Sequence, residues 1–391
     1  MSGVLLLVGL VVAVFVGYNI GGSSTGPAFG PAVGANAISK VGAAALMTVF
    51  FFVGGWTIGR EVVLTLGGEI VPGALFTLEV SIVVLFFIGG ALFVGNVFGV
   101  PASTSMSAVG SIAGLGIATG ELNWETMGVI VSWWIVAPVI AFWVSGVIGR
   151  YFYSTINRMV AIPQTEEPTF VLDRSGTIPQ ITTSEGTDTR EAVGTLVLIV
   201  IGCYMAFSAG ASNVANAVAP LVGSGELAMN PAILLAAAAT GLGAFTIARR
   251  TLETLGNDIT DLPLTAAIVV AIVSATIISL LSAAGIPASF VVVATMSIIG
   301  LGWGRATRTT TISDSVRGQR ETNVSVGALA ADQEGERLPK IGDEEPGEIP
   351  AASDLFDPAT TGRVILLQNF VPALATVGAY LTFRFVPLFG F

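Results

Sequence analysis

Eight apolar stretches, each about as long as a bilayer is thick, constrain this chain more than any other feature of its sequence. A helix needs about 20 apolar residues to cross the roughly 30 Å hydrocarbon core of a membrane. The stretches lie at 3–18, 41–58, 73–98, 126–149, 191–207, 231–248, 262–284 and 362–389, and shorter ones lie at 101–118 and 287–303. The sequence therefore predicts an all-α, polytopic membrane protein.

Composition agrees with this fold class. The chain is 53% hydrophobic and only 11% charged, whereas soluble domains are about a quarter charged. The first apolar stretch has no basic segment before it and no small-residue cleavage site after it. We therefore expect it to be retained as a span and not removed as a signal peptide.

The residue types that are missing exclude several classes of function. The chain has no histidine, and Cys203 is its only cysteine, so His-based proton relays and Cys-based metal sites are excluded. We expect no enzyme, because no paired catalytic carboxylates or cofactor motif accompany the spans. No phosphate-binding loop is present to couple ATP. We also expect no cofactor apart from Na⁺ as a coupling ion, and no nucleic-acid partner.

The net charge of −10, with lysine only at Lys40 and Lys340, favours a halophilic source, because acidic loops stay solvated at high salt. Two acidic polar segments also contribute much of that charge. They divide the chain into repeat one (1–150), a cytoplasmic linker (151–190), the main part of repeat two (191–303), an acidic cytoplasmic loop (304–361) and the last span of repeat two (362–391).

The two apolar halves resemble each other. "TIGREVVLTLGGEI" at 57–70 matches "TIARRTLETLGNDI" at 246–259 in seven of 14 positions, at an offset of 189. Pro101 and Pro287 match at an offset of 186 in a second pair of segments. Long repeats of this kind are typical of secondary transporters, whose halves pack with opposite orientation around a central substrate. Arginines near both polar segments predict that these are cytoplasmic and that both termini lie outside.

Small and polar residues interrupt each half at matching places. Repeat one carries "GYNIGGSSTGPAFGPAVGA" at 17–35, and repeat two carries "SAGASNVANAVAPLVGSG" at 208–225. Their glycines and prolines predict broken or re-entrant helices, whose free N–H groups attract anions. The predicted substrate-binding residues are Ser23, Ser24, Thr25, Ser103, Thr104, Ser105, Ser212, Asn213, Asn216 and Ser289. Small residues also pack membrane helices together, and that alternative stays open for each of them.

Three of these segments resemble one transporter family. "GASNVANAVAPLVGSG", "GVPASTSMSAVGSIAGLGI" and "RRTLETLGNDIT" are similar to signature motifs of the inorganic phosphate transporter (PiT) family. The resemblance covers both halves and omits the polar segments. It implies import of inorganic phosphate coupled to Na⁺ or H⁺, with a sulfate-transporting branch as the alternative. A homodimer stays open as the assembly, as does a channel-like or non-transporting relative in the lipid bilayer.

The chain departs from the family where that resemblance matters most. The signature aspartates are replaced by Ser24 and Asn213. Because phosphate carries a proton that needs an acceptor and sulfate does not, these losses favour sulfate. Family precedent still places phosphate narrowly first. The candidates for holding the coupling ion are Asn19, Asn213, Asn216, Glu79 and Glu253.

The arginines that match across the repeat have a structural alternative. Arg60 and Arg249 lie near span ends, where a long cationic side chain can reach polar partners without entering a binding site. We expect both to be structural residues.

Overall fold

The computed structural model describes residues 2–35, 37–97, 103–160, 170–173, 180–183, 189–258, 264–306 and 358–386. Within these ranges the chain is almost entirely helical. The α-helices are α1 (Ser2–Gly34), α2 (Lys40–Thr57), α3 (Gly59–Leu64), α4 (Leu78–Val97), α5 (Thr104–Thr119), α6 (Trp124–Val147), α7 (Tyr153–Val160), α8 (Thr189–Gly223), α9 (Met229–Asp258), α10 (Leu264–Ala283), α11 (Phe290–Ala306) and α12 (Pro358–Phe385).

Short irregular elements join some of these helices. A π-helical turn at Thr65–Glu69 and a 3₁₀ turn at Gly73–Leu75 connect α3 to α4. Another π-helical turn, Ile148–Phe152, joins α6 to α7. The linker also contains an antiparallel hairpin of β1 (Phe170–Asp173) and β2 (Gln180–Thr183), with Phe170 opposite Thr183. Apart from this small hairpin, the all-α prediction is confirmed.

Seven of the described helical segments are long and apolar enough to cross a membrane, and they begin at residues 3, 40, 78, 124, 192, 229 and 265. α5 has only 16 residues and α11 has 17, so each is about 25 Å long and falls short of a full crossing. Both follow an interruption of the helical chain at the two shorter apolar stretches. α5 and α11 are therefore the helices to which the prediction of re-entrant segments applies.

The predicted breaks within the two polar signature stretches are wrong. α1 continues without interruption through 17–34, and α8 continues through 208–223. Pro27 and Pro31 lie inside α1, and Pro220 lies inside α8. Each proline removes one backbone donor, but neighbouring helices and hydroxyl side chains compensate for such losses in membrane helices. The Thr25 hydroxyl also donates within α1, to the Gly21 carbonyl at 2.7 Å.

The largest helix–helix interfaces join the two halves crosswise. α1 packs on α9, and α2 packs on α8. Further along the chain, α5 packs on α12 and α6 packs on α11. α1 and α2 of the first half match α8 and α9 of the second, so the α1–α9 interface is equivalent to the α2–α8 interface. In the same way, the α5–α12 interface is equivalent to the α6–α11 interface. This is the pattern that a two-fold relation produces, while the opposite orientation of the halves in the membrane stays a prediction.

Glycines allow the closest of these approaches. In the α1–α9 and α2–α8 interfaces, a Cβ atom added at any of four glycines would collide with a backbone carbonyl oxygen of the facing helix. The pairs are Gly21 with Thr240, Gly210 with Phe51, Gly243 with Tyr18, and Gly54 with Phe207. Each pair has its counterpart at the offset of 189 residues. At these four positions, close packing between helices therefore explains why the residue is glycine.

The glycine contacts predict a sharp position dependence for alanine substitution. In Gly54→Ala the added methyl group meets the Phe207 carbonyl, so α2 and α8 must separate, at a cost of about 1–3 kcal/mol or more. We expect a clear fall in the unfolding temperature of the detergent-purified protein. Gly90→Ala is the matched control, because its Cβ meets nothing within 4 Å. Equal unfolding temperatures for the two variants would contradict this packing.

Candidate functional site

Residues from both halves line one cavity of about 40 Å³. A water molecule needs roughly 10–15 Å³ measured in the same way, so the cavity has room for a small ion. The lining residues come from α1, α5, α8 and α11, with two of them in the turns before α5 and α11. They are Ser23, Ser24, Pro27, Ala28, Ser103, Thr104, Met205, Ala209, Asn213, Ser289, Phe290 and Val291.

The two short helices begin at this cavity, and each begins after a serine. Ser103 Oγ accepts a hydrogen bond from the Met106 N–H at 3.2 Å. Ser289 Oγ accepts one from the Val292 N–H at 3.4 Å. Serine is a favoured residue before a helix because its hydroxyl oxygen satisfies one of the free N–H groups of the first turn. Each hydroxyl keeps its own hydrogen for a further partner.

The electrostatic character of the site follows from these helix starts. The first turns of α5 and α11 present unpaired N–H groups and the positive ends of two helix dipoles to the same cavity. Such helix starts attract anions. Among the described lining residues none has a charged side chain, so an anion entering the cavity would meet donors without repulsion from a carboxylate.

Hydrogen bonds connect α5 of the first half to α8 of the second. The Thr104 hydroxyl donates to Asn213 Oδ1, which also accepts from Asn216 Nδ2 at 3.1 Å. Ser105 and Ser212 hydroxyls lie 3.3 Å apart. Because two donors already use the Asn213 amide oxygen, its NH₂ group is the part left to donate to a ligand.

The structure brings six of the ten predicted substrate-binding residues to the cavity: Ser23, Ser24, Ser103, Thr104, Asn213 and Ser289. The other four lie behind them in the protein interior. Thr25 bonds to its own helix, and Ser105 and Ser212 bond to each other. Asn216 is fully buried and supports Asn213. A role in binding stays a prediction for all ten.

The candidates for holding a coupling ion lie in different surroundings. Asn19 is buried on α1, and its amide oxygen accepts from Asn96 Nδ2 at 2.9 Å. Asn216 Oδ1 is buried and has no hydrogen-bond partner among the described residues. Glu79 is exposed in the first turn of α4, so it lies at the start of the helix and not in its middle. The Glu253 side chain lies outside the described residues.

Arg60 has structural partners only, within the part of the chain that the structure describes. Its Nε donates to the Trp56 carbonyl at 2.7 Å, and a terminal nitrogen donates to Asn230 Oδ1 at 2.6 Å. Its guanidinium also lies over the Trp56 ring, 4.6 Å from the centroid. These contacts agree with a structural role. Arg249, its match in repeat two, has a side chain outside the described residues.

Sequence reasoning missed the apolar side of the cavity. Met205, Ala209, Phe290 and Val291 line it together with the polar groups. Phe290 and Val291 belong to "PASFVV", which matches "PASTSM" in the other half. The motif of the second half has Phe, Val and Val where that of the first has Thr, Ser and Met, and this contrast is the sequence signal from which an apolar wall could have been predicted.

A second, apolar cavity of about 20 Å³ lies beside the first and shares Ser289 with it. Trp134 of α6 is among its lining residues. The indole Nε1 of Trp134 donates to the Pro287 carbonyl at 2.8 Å. The turn that leads to Ser289 and α11 is therefore attached to a helix of the first half.

Comparisons with known proteins place this geometry in context. A family model described as the phosphate transporter family matches residues 20–330. The sulfate permease CysP of Bacillus subtilis is 32% identical over 300 residues, which cover 76% of this chain and 77% of that protein. A putative phosphate permease of Helicobacter pylori is 25% identical over 374 residues, with coverages of 78% and 69%.

A solved structure has a similar fold. The structure described as the sodium-dependent phosphate transporter matches with a TM-score of 0.64 at 19% identity, covering 98% of this chain and 100% of that chain. At this identity the likeness concerns the fold alone. It extends over both halves and therefore includes all the helices that line the cavity.

The serine before α11 yields a stability prediction. Ser289→Ala removes the hydroxyl oxygen that accepts from Val292 N–H, and losses of this kind cost about 1 kcal/mol, whereas glycine in the same place costs only a few tenths. We therefore expect a larger fall in unfolding temperature for Ser289→Ala than for Ser289→Gly. Ser103→Ala and Ser103→Gly should repeat that order at α5. If alanine and glycine are equivalent at both positions, the serines do not cap these helices.

Proposed function

Because the chain belongs to the phosphate transporter family, we propose that it is a secondary active transporter that imports sulfate together with Na⁺. Family membership makes it a multi-pass membrane transporter with relatives named sulfate permease and phosphate permease. Sulfate as the substrate and Na⁺ as the driving ion are the further steps of the proposal. The observation that carries it is the donor-rich cavity between the two halves, which has no carboxylate among its described lining residues.

The cavity chemistry favours a fully deprotonated oxyanion. The hydroxyls of Ser24, Ser103 and Ser289, the Asn213 amide and the N–H groups of two helix starts can all donate to oxygen atoms of the anion. Phosphate near neutral pH carries a proton of its own, which needs an acceptor. A carboxylate is the strongest acceptor that a protein side chain offers, and the positions where the family has aspartate hold Ser24 and Asn213.

Family precedent alone places phosphate before sulfate as the substrate, and these observations favour the opposite order. A buried polar group without a partner costs about 1–3 kcal/mol, so a bound phosphate whose proton lacks an acceptor is at a disadvantage to sulfate. The 32% identity to a sulfate permease, against 25% to a phosphate permease, supports the same order. Phosphate is the second candidate.

The amide groups near the cavity suit a coupling cation. Asn216 Oδ1 is a buried acceptor without a partner among the described residues, and such an atom calls for an ion or a water molecule. Asn19 is a second buried amide in the first half. We propose that neutral oxygens of this kind hold Na⁺, in place of the carboxylates that the chain lacks. Proton coupling through Glu253 or Glu79 is the alternative.

Transport would then follow the Na⁺ gradient. Movement of one set of helices relative to the other opens the cavity first to the outside and then to the cytoplasm. We propose that both polar segments are cytoplasmic and both termini lie outside, in agreement with the arginines beside the two segments. The Ser103 and Ser289 helix starts would hold the anion while neither side is open.

Uptake into liposomes that contain the purified protein tests this proposal. Labelled sulfate and labelled phosphate are supplied in turn, with Na⁺ and pH gradients imposed separately. We expect saturable sulfate uptake that depends on the inward Na⁺ gradient and exceeds phosphate uptake. Unsaturable flux would indicate a channel, and dependence on the pH gradient alone would assign the coupling to protons. Phosphate uptake above sulfate uptake would overturn the substrate assignment.

Restoring a carboxylate in the cavity should change the substrate preference. Asn213→Asp adds a negative charge that repels both anions, but only phosphate has a proton with which to hydrogen-bond the new carboxylate, so the ratio of phosphate to sulfate uptake should rise about tenfold or more. Asn123→Asp is the matched control, because it makes the same change at the exposed start of α6, where aspartate caps a helix as well as asparagine does. An unchanged preference for sulfate in Asn213→Asp would show that Asn213 does not contact the substrate.

A further inference from the structure

The two short helices differ at the residue that follows their capping serine. Thr104 is the first residue of α5, and Phe290 is the first residue of α11. They match at the offset of 186 residues that relates Pro101 to Pro287. Both line the cavity. One half of the protein therefore presents a hydroxyl group where the other presents an aromatic ring.

Because of this difference, the two halves of the protein contribute unequal hydrogen-bonding groups to the cavity. On the first side, Thr104 donates to Asn213. The matching pair on the other side is Phe290 and Ser24, because Ser24 matches Asn213 at the offset of 189. A phenylalanine cannot donate a hydrogen bond to Ser24. At the matching position the cavity is therefore lined by a hydrocarbon ring and not by a second hydrogen-bonded pair.

The Phe290 ring is held from outside the cavity. It packs against both of the large hydrophobic clusters of the protein, one centred on helices such as α1 and α8 and the other on α6, α10 and α11. The other apolar lining residues are smaller than a phenyl ring or more flexible: Ala28 and Ala209 have single methyl groups, Pro27 and Val291 have short side chains, and Met205 has a flexible unbranched chain. Phe290 is the largest apolar side chain of the lining.

We propose that Phe290 is a specificity-determining residue that sets the upper size limit of the transported oxyanion. This inference rests on the proposed transport of a tetrahedral anion. The ring fixes the distance between the apolar side and the donors of Ser103 and Asn213, so an anion with longer bonds from its central atom to oxygen must displace the ring or lose donors. Sulfate fits within the limit, and selenate and molybdate exceed it in increasing degree.

Competition experiments test the size limit. Uptake of labelled sulfate into liposomes is inhibited with unlabelled sulfate, selenate and molybdate, and the three inhibition constants are compared within each variant. Phe290→Val should lower the molybdate constant relative to the sulfate constant about tenfold or more, because pocket volume of a few methylene groups discriminates to this extent. Phe290→Leu should give a smaller change in the same direction. Phe86→Val, which removes an exposed ring on α4, should leave the ratio unchanged.

Phe290→Thr separates size from hydrogen bonding. Threonine and valine have nearly the same volume, so a size limit predicts the same change in the molybdate-to-sulfate ratio for both variants. A change in Phe290→Thr alone would assign selectivity to the added hydroxyl group and overturn the inference. The shift in unfolding temperature caused by sulfate or molybdate gives a second readout for any variant that binds without transporting.

Failure of this inference can be told apart from failure of the proposed function. If the unmodified protein takes up neither sulfate nor phosphate, and neither anion shifts its unfolding temperature, the proposed function is wrong. The second case is that the unmodified protein transports sulfate, but Phe290→Val and Phe290→Leu have the same molybdate-to-sulfate ratio of inhibition constants as the unmodified protein. The size limit is then not set by Phe290.

Discussion

Direct contact between helix backbones holds this protein together around its cavity. At four glycines of α1, α2, α8 and α9 the facing helix lies so close that a single methyl group would strike its carbonyl oxygen. These contacts join α1 to α9 and α2 to α8, and so they fix the two long helices that carry Ser23, Ser24 and Asn213. Lipid chains are as apolar as the side chains, so the hydrophobic effect does not drive helices together within the bilayer. Membrane helices associate instead through such close packing and through hydrogen bonds. The positions of the Ser23, Ser24 and Asn213 side chains therefore depend on this close packing.

Much of the fold could be predicted from hydrophobicity alone, because only helices can satisfy every backbone group in lipid. The short apolar stretches likewise matched the two short helices, α5 and α11. Continuity of α1 and α8 could not be predicted. Glycine and proline normally end helices in water, but in this protein Gly21 and Gly210 serve the contact with a neighbouring helix. Sequence does not distinguish a glycine that breaks a helix from one that lets another helix approach.

The site was predictable in composition and less so in orientation. Successive residues of a helix point about 100° apart, so a run such as Ser23, Ser24 and Thr25 cannot turn all its hydroxyls to one side. Thr25 is accordingly buried and bonds within its own helix, whereas Ser23 and Ser24 line the cavity, although Ser23 also donates to the Ile20 carbonyl. The search for donors also overlooked the hydrocarbon groups opposite them. A selective anion site needs boundaries as well as ligands, and Phe290 carries no polar atom that such a search would detect.

The bond from Trp134 to the Pro287 carbonyl has a mechanical consequence. It attaches the turn before α11 to α6, and α11 itself packs along α6, just as α5 packs along α12. A division of the molecule at the boundary between its repeats would cut through both of these interfaces. Any rigid unit that keeps both interfaces intact would therefore contain helices from both repeats, and its boundary would differ from the boundary between the repeats in the sequence.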